Sequence, residues 1–235
     1  MKLKHSDIKG RVNSLPHFIT GVVVNYNTPE LLKRAIASVR QFYDFPIIVI
    51  DGSDKPEALD FLNVKVKKTG YNIGHGLGMD MGIRMAETDY ILTFDTDIEM
   101  KKPCIELMMK ELKLDTYAMG RRYLRNNVSF YNRYRDIFPY NAIAYIIDPA
   151  FQLVNKTQYL KYAPFISDGS PTVLSYHDLG RRQIAERVLV HFPVFDYVNH
   201  KRAGTRNRID MSEYEHPSNP KWLEKWKTYI GEHAL

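Results

Sequence analysis

Tyr90-Ile91-Leu92-Thr93-Phe94-Asp95-Thr96-Asp97 is the stretch on which the reading of this chain turns. An apolar run of strand length stops on two carboxylates one residue apart. A strand ending this way leaves two anionic oxygen donors at the rim of a sheet. Hard divalent cations take oxygen ligands, and Mg²⁺ in particular is commonly held by one or two carboxylates plus substrate phosphates. Alone, the couplet also reads as a solvated turn, because Asp is common in turns. The flanking sequence separates the two.

Working back toward the N-terminus, Phe18-Ile19-Thr20-Gly21-Val22-Val23-Val24 is a near-continuous apolar run. That pattern suits a strand covered on both faces, as in parallel sheets. It stops at Asn25-Tyr26-Asn27. Thr28 stands where a helix cap belongs and Pro29 fits a first turn, after which Leu32, Ala35, Ile36 and Val39 recur at helical spacing. The order then repeats. Ile47-Ile48-Val49-Ile50 is a second strand ending on Asp51-Gly52-Ser53-Asp54, and a short helix is expected after Pro56. Val64 and Val66 alternate with lysines in a third strand. A glycine-rich segment leads into a helix bearing Leu77, Met81 and Met85, and the strand that ends on the carboxylate couplet follows. Pro103 opens a further helix with Ile105, Met108, Met109 and Leu112 on one face. Strand and helix alternate throughout residues 18–113, which predicts an α/β fold with a doubly wound, mostly parallel sheet.

The second half is less regular. Residues 117–119 and 144–147 read as strands, with a basic, aromatic stretch between them at residues 121–140. Residues 173–187 are expected to be helical, and 188–190 and 194–198 to be strand pieces around Pro193. A polar linker at residues 205–220 leads to a last helix with Trp222, Trp226, Tyr229 and Ile230.

The formal charge of +6 suits an anionic substrate, a nucleic acid or an anionic membrane surface. Cys104 is the only cysteine, which excludes a disulfide within the chain and a cysteine-ligated zinc site. Residues 1–18 lack the apolar core of a signal peptide, and no stretch approaches the roughly 20 apolar residues of a membrane span. The expectation is a cytoplasmic protein. The Lys221-Trp222-Leu223-Glu224-Lys225-Trp226-Lys227 segment either docks on its own domain or gives peripheral contact with a membrane surface.

In open α/β sheets, ligands bind beyond the carboxyl ends of the strands. Three such ends here are polar, at residues 25–27, 51–54 and 95–97, and a parallel sheet sets them on one edge. Asp51 is placed to accept from a base N–H or a sugar hydroxyl, while Asp54 reads equally as a capping residue. Asn72-Ile73-Gly74-His75-Gly76-Leu77-Gly78 lacks the spacing of a dinucleotide fingerprint, which would need glycine at Met79 or Met81. Its glycines instead allow close approach of backbone to a ligand or a neighbouring helix, or form a structural turn.

Taken together, Val22-Val23-Val24-Asn25-Tyr26-Asn27, Ile48-Val49-Ile50-Asp51-Gly52-Ser53, Asn72-Ile73-Gly74 with Gly82-Ile83-Arg84, and Asp89-Tyr90 running into Phe94-Asp95-Thr96-Asp97 resemble the nucleotide-sugar-binding half of inverting GT-A glycosyltransferases of family 2, especially the rhamnosyltransferase-like members. The resemblance covers roughly the first half of the chain in order and spacing. It implies a single GT-A domain over residues 1–235, with a nucleotide-sugar-binding half at 18–115, a less regular acceptor and catalytic half at 116–204, and the linker and helix at 205–235. It implies a UDP- or dTDP-linked sugar donor, a glycan or lipid-linked hydroxyl acceptor, and Mn²⁺ or Mg²⁺ as cofactor.

By position, Tyr26 would lie along the base and Asp51 would accept its N–H, with Asn25, Asn27, Asn72 and Gly74 also on the donor side. Asp95 would sit near the ribose or the cation, Asp97 would bind the cation, and His200 would be a later ligand to it. Lys201, Arg202 and Arg206 would contact the diphosphate. Asp178, in Ser175-Tyr176-His177-Asp178, takes the place of the catalytic base. His177 stands there instead of the usual glutamate, and Asp168 is the fallback.

Two other functions compete. A sugar-phosphate nucleotidyltransferase can share such a sheet, but usually has a glycine-rich, basic loop after the first strand, where this chain has Asn25-Tyr26-Asn27-Thr28-Pro29. A nucleic-acid-binding module is suggested by Arg121, Arg122, Arg125, Arg133 and Arg135 among aromatics, although a solvated acceptor-side loop accounts for them as well. No nucleic-acid partner is expected.

Overall fold

The computed structural model describes residues 18–55, 59, 64–126, 143–162, 179 and 182–201. The expected short helix after Pro56, most of 173–187, the linker and the final helix lie outside them. The alternation in the first half is realised as β1 (Ile19–Asn25), α1 (Pro29–Arg40), β2 (Ile47–Asp51), β3 (Lys65–Lys68), α2 (His75–Met85), β4 (Tyr90–Phe94), β5 (Ile98–Met100) and α3 (Ile105–Glu111). The second half adds β6 (Ala118–Asn126), β7 (Ile143–Asn155), α4 (Lys156–Tyr159), α5 (Ala185–Val188), β8 (Leu189–His191) and β9 (Val198–His200).

Seven strands form one sheet in the order β3-β2-β1-β4-β7-β6-β8. β3, β2, β1 and β4 run parallel, β7 is antiparallel to both β4 and β6, and β8 pairs parallel with β6. Both faces are covered, which explains the unbroken apolar runs of the central strands. Val22, Ile48, Ile50 and Ile91 pack with Leu77 and Ile83 of α2. Val23, Val49 and Leu92 pack on the opposite face with Leu32, Ile36 and Val39 of α1 and Ile105 and Met108 of α3.

The glycines of α2 have a definite use. A Cβ at Gly82 would lie 2.3 Å from Val22 Cγ1, and one at Gly78 would lie 2.7 Å from Val24 Cγ2. The close approach is therefore to strand β1, and it seats α2 flush on the sheet. α3 starts under Tyr43, whose hydroxyl accepts from Cys104 N and Ile105 N at 2.9 and 3.0 Å and donates to Glu106. Those are amides a helix start leaves without an intrahelical partner.

Several local expectations change. Thr28 does not cap α1 through its side chain. Its hydroxyl is drawn to Asn25 Oδ1 at 3.0 Å and Thr96 Oγ1 at 3.3 Å, tying the ends of β1 and β4 together. Residues 194–196 form a single 3₁₀ turn rather than strand, closed by Asp196 N to Pro193 O and Tyr197 N to Val194 O. The strand begins only at Val198, where β9 finds the edge of β5. Among the described residues, no helix is long and apolar enough to cross a membrane.

Candidate donor and cation site

The carboxyl ends of β1 and β2 are joined by a buried polar knot. Asp51 Oδ1 accepts from Asn25 Nδ2 at 3.0 Å, Ser53 Oγ at 2.6 Å and Ser53 N at 3.2 Å. Ser53 Oγ in turn accepts from Asn25 Nδ2 at 3.1 Å and Asn27 N at 2.9 Å. Asp51 is 1% exposed, and its Oδ2 has no hydrogen-bond partner among the described residues. A buried carboxylate oxygen is costly to leave unpaired, so this atom calls for a donor from outside the described residues. Beside it, Tyr26 OH donates to Asp54 Oδ2 at 3.1 Å and Asn27 Nδ2 donates to the same atom at 2.8 Å. Asp54 therefore braces the Tyr26 loop, in which Asn27 takes a left-handed φ of 53°. Asn72 accepts from Gly74 N at 3.0 Å and shapes the turn into α2.

At the end of β4, Asp95 and Asp97 meet His200. One ligand atom from each lies within 4.8 Å of the others. The pairing of β5 with β9 causes this convergence: Ile98 faces His200 across the ladder, and Lys201 N donates to Asp97 O at 3.0 Å. His200 stacks on Phe195, with ring centroids 6.1 Å apart, and its Nε2 is 3.3 Å from Asp97 Oδ1. That hydrogen bond raises the imidazole pKa against the opposing effect of burial, and the charges of Asp95, Asp97 and Asp148 add to it. Two carboxylates and an imidazole make a donor set open to a divalent cation, since carboxylates serve Mg²⁺ and Mn²⁺ and imidazole is a ligand for transition metals. The donor set thus fits the cation the sequence implied.

Two residues escaped the sequence reading. His75, the first residue of α2, places Nε2 2.9 Å from Asp95 Oδ1. Asp148 lies in a bulge of β7, where the register slips between Gly120 and Arg122. Burial raises its pKa, as does Asp95, while the Ala150 amide, His200 and Arg121 pull it down. A bulge re-aims side chains near functional sites, and nothing in a lone Ile147-Asp148-Pro149 announces one. His75 was visible within the glycine-rich segment, but only the backbone brings it to Asp95.

Lys201 pairs with Glu99 at 2.8 Å. Lys101 and Lys201 together hold that carboxyl down at about 2. Arg122 is spent internally, donating to Glu186 O and Leu189 O at 2.9 Å, and Arg121 lies over Phe195. Asp168, Asp178, Arg202 and Arg206 lie outside the described residues.

A family model for glycosyl transferase family 2 matches residues 20–189. The chain belongs to that family. Among solved structures, glucosyl-3-phosphoglycerate synthase from Mycobacterium tuberculosis, in complex with Mn²⁺, UDP and phosphoglyceric acid, aligns at 10% identity and a TM-score of 0.55, covering 96% of this chain and 82% of its own. A mannosyltransferase from Pyrobaculum calidifontis, in complex with GDP-Man and Mn²⁺, aligns at 14% identity and a TM-score of 0.52, covering 74% of this chain and 54% of its own. TarS of S. aureus, residues 1–349, gives 14% identity and 0.54, covering 77% and 59%. This chain thus spans a little over half the length of the latter two. No curated protein matches it significantly. The family 2 assignment and these neighbours establish the GT-A fold expected from the sequence.

Proposed function

We propose that this family 2 protein transfers a sugar from a nucleoside diphosphate to a hydroxyl acceptor, with a divalent cation, in one inverting displacement, and that its donor is UDP- or dTDP-linked as in rhamnosyltransferase-like members. The observation that carries the reading is the convergence of Asp95, Asp97 and His200 on the same sheet edge as the unpartnered Asp51 Oδ2. The neighbours captured with GDP-Man and Mn²⁺ or with UDP and Mn²⁺ support it.

Each residue then has a task. Asp51 Oδ2 accepts the imide N–H of uracil or thymine, and Tyr26 flanks the base. Asp95, Asp97 and His200 hold the cation, which, when bound, offsets the charge of the departing diphosphate. Asp178 takes the proton of the acceptor hydroxyl as its oxygen bonds to the anomeric carbon and the bond to the diphosphate breaks. Such general-base help contributes roughly 10²–10⁴-fold. Arg202 and Arg206 meet the diphosphate, and the acceptor is a glycan or a lipid-linked hydroxyl.

Calorimetry with nucleotide-sugars, with and without Mn²⁺, tests the reading. A donor should bind the wild-type chain with Mn²⁺ and bind far more weakly without it, and Asp97→Asn should abolish the difference. Donor binding that ignores Mn²⁺ would overturn the cation assignment.

A further inference from the structure

Resting on the reading of Asp95, Asp97 and His200 as a cation site, we propose that His75 is a positioning residue: its Nε2–H anchors one oxygen of Asp95 and leaves the carboxylate oriented toward the cation. His75 Nε2 lies 2.9 Å from Asp95 Oδ1, whereas the cluster whose ligand atoms converge comprises Asp95, Asp97 and His200 and not His75. The imidazole thus touches Asp95 without joining the group of converging ligand atoms. A carboxylate only accepts, so the shared hydrogen belongs to the ring, and in the neutral ring that leaves Nδ1 as an acceptor. Ligating carboxylates and imidazoles characteristically need such an outer partner to hold their orientation.

The fold makes His75 a rigid support. Gly74 turns the chain at φ 88°, and its N–H is held by Asn72 Oδ1. Gly78 and Gly82 then press α2 against Val24 and Val22 of β1, the strand beside β4. Lower on the helix, Asp80, fully buried, bonds Arg84 Nε at 2.8 Å and the hydroxyl of Tyr159. α2 is thus fixed at its middle as well as along its face, and its first side chain is delivered to Asp95. From the other side, Asp95 N donates to Ala150 O at 3.0 Å. The backbone of Asp95 is held by β7 and its side chain by α2, which leaves the carboxylate little freedom to swing away. Sites supported on rigid elements in this way keep their geometry without reorganising on binding.

The test measures Mn²⁺ affinity directly, by electron paramagnetic resonance of free Mn²⁺, on the full chain without donor. His75→Ala should weaken Mn²⁺ roughly 10- to 100-fold, the range for losing an outer partner of a metal ligand. His75→Gln, whose amide N–H can reach the same carboxylate, should recover binding to within a few-fold. The metal-free melting temperature should stay at the wild-type value in both. Wild-type Mn²⁺ affinity in His75→Ala, beside a loss in Asp97→Asn, overturns the proposal and leaves the cation site standing. Equal loss in both His75 variants with a lowered melting temperature also overturns it, because His75 would then act on the helix. Wild-type Mn²⁺ affinity in Asp97→Asn removes the cation reading itself, and this inference with it.

Discussion

Asp51→Asn separates binding from folding more cleanly than any other single change. The amide is nearly isosteric, and its oxygen has one place to go. Three donors converge on Oδ1, from Asn25 Nδ2 at 3.0 Å, Ser53 Oγ at 2.6 Å and Ser53 N at 3.2 Å. The NH₂ group must then occupy the position of Oδ2, where an incoming base N–H would meet another donor. A hydrogen bond to a charged group is worth about 1.5–3 kcal/mol, so nucleotide affinity should fall about 10- to 150-fold. Metal-free stability should not fall with it. The exchange removes a buried anionic oxygen that has no partner among the described residues and preserves all three bonds of the knot. Calorimetry of UDP binding in Mn²⁺, beside a denaturation curve of the free chain, reads both quantities. Wild-type UDP affinity in the variant would refute the role of Oδ2. A loss of affinity matched by a loss of stability would instead make Asp51 a strut of the loop.

Asp178→Asn should lower turnover by roughly 10²–10⁴-fold while donor affinity stays put, and steady-state kinetics alongside donor titration would show a base outside position 178 if turnover survives. Gly82→Ala should destabilise the fold by about 1–3 kcal/mol through overpacking, because its Cβ would sit 2.3 Å from Val22 Cγ1 on a central strand; a denaturation midpoint equal to wild type would contradict the seating of α2. Burial, with Glu106 adding, pushes the Cys104 thiol up to about 12, so the folded chain keeps its proton where the unfolded chain loses it. Between about pH 9 and 12 this thiol should therefore remove stability as pH rises, by about 1.4 kcal/mol per pH unit, and the advantage of wild type over Cys104→Ala should shrink across that window.

The first half of the fold was legible because its signals are local. Apolar runs stop on polar ends, and helical periodicity fills the gaps from Pro29 to Glu111. The second half hides its geometry in pairing. Nothing near Val198-Asn199-His200 says that it will lie against Ile98-Glu99-Met100, yet that ladder delivers His200 to Asp97. His200 could be suggested only by resemblance, and Asp148 not at all, since its place depends on a register slip between β6 and β7. The glycines at 74–78 suggest close approach to a ligand or a neighbouring helix, or a turn, whereas at Gly78 the neighbour is strand β1. Thr28 is the reverse case: a sound local rule for capping lost to a hydrogen bond with Thr96, 68 positions away.

β3 ends the seven-stranded sheet, and Lys65, Lys67 and Lys68 stand exposed along it around a half-buried Val66. An outermost strand offers a row of free amides and carbonyls to any passing chain, and two copies of this one would bring six ammonium groups into register. Like charges at that spacing repel, so edge-to-edge accretion into fibrils is disfavoured. Neutralising those lysines should therefore make β3 more prone to edge-to-edge pairing.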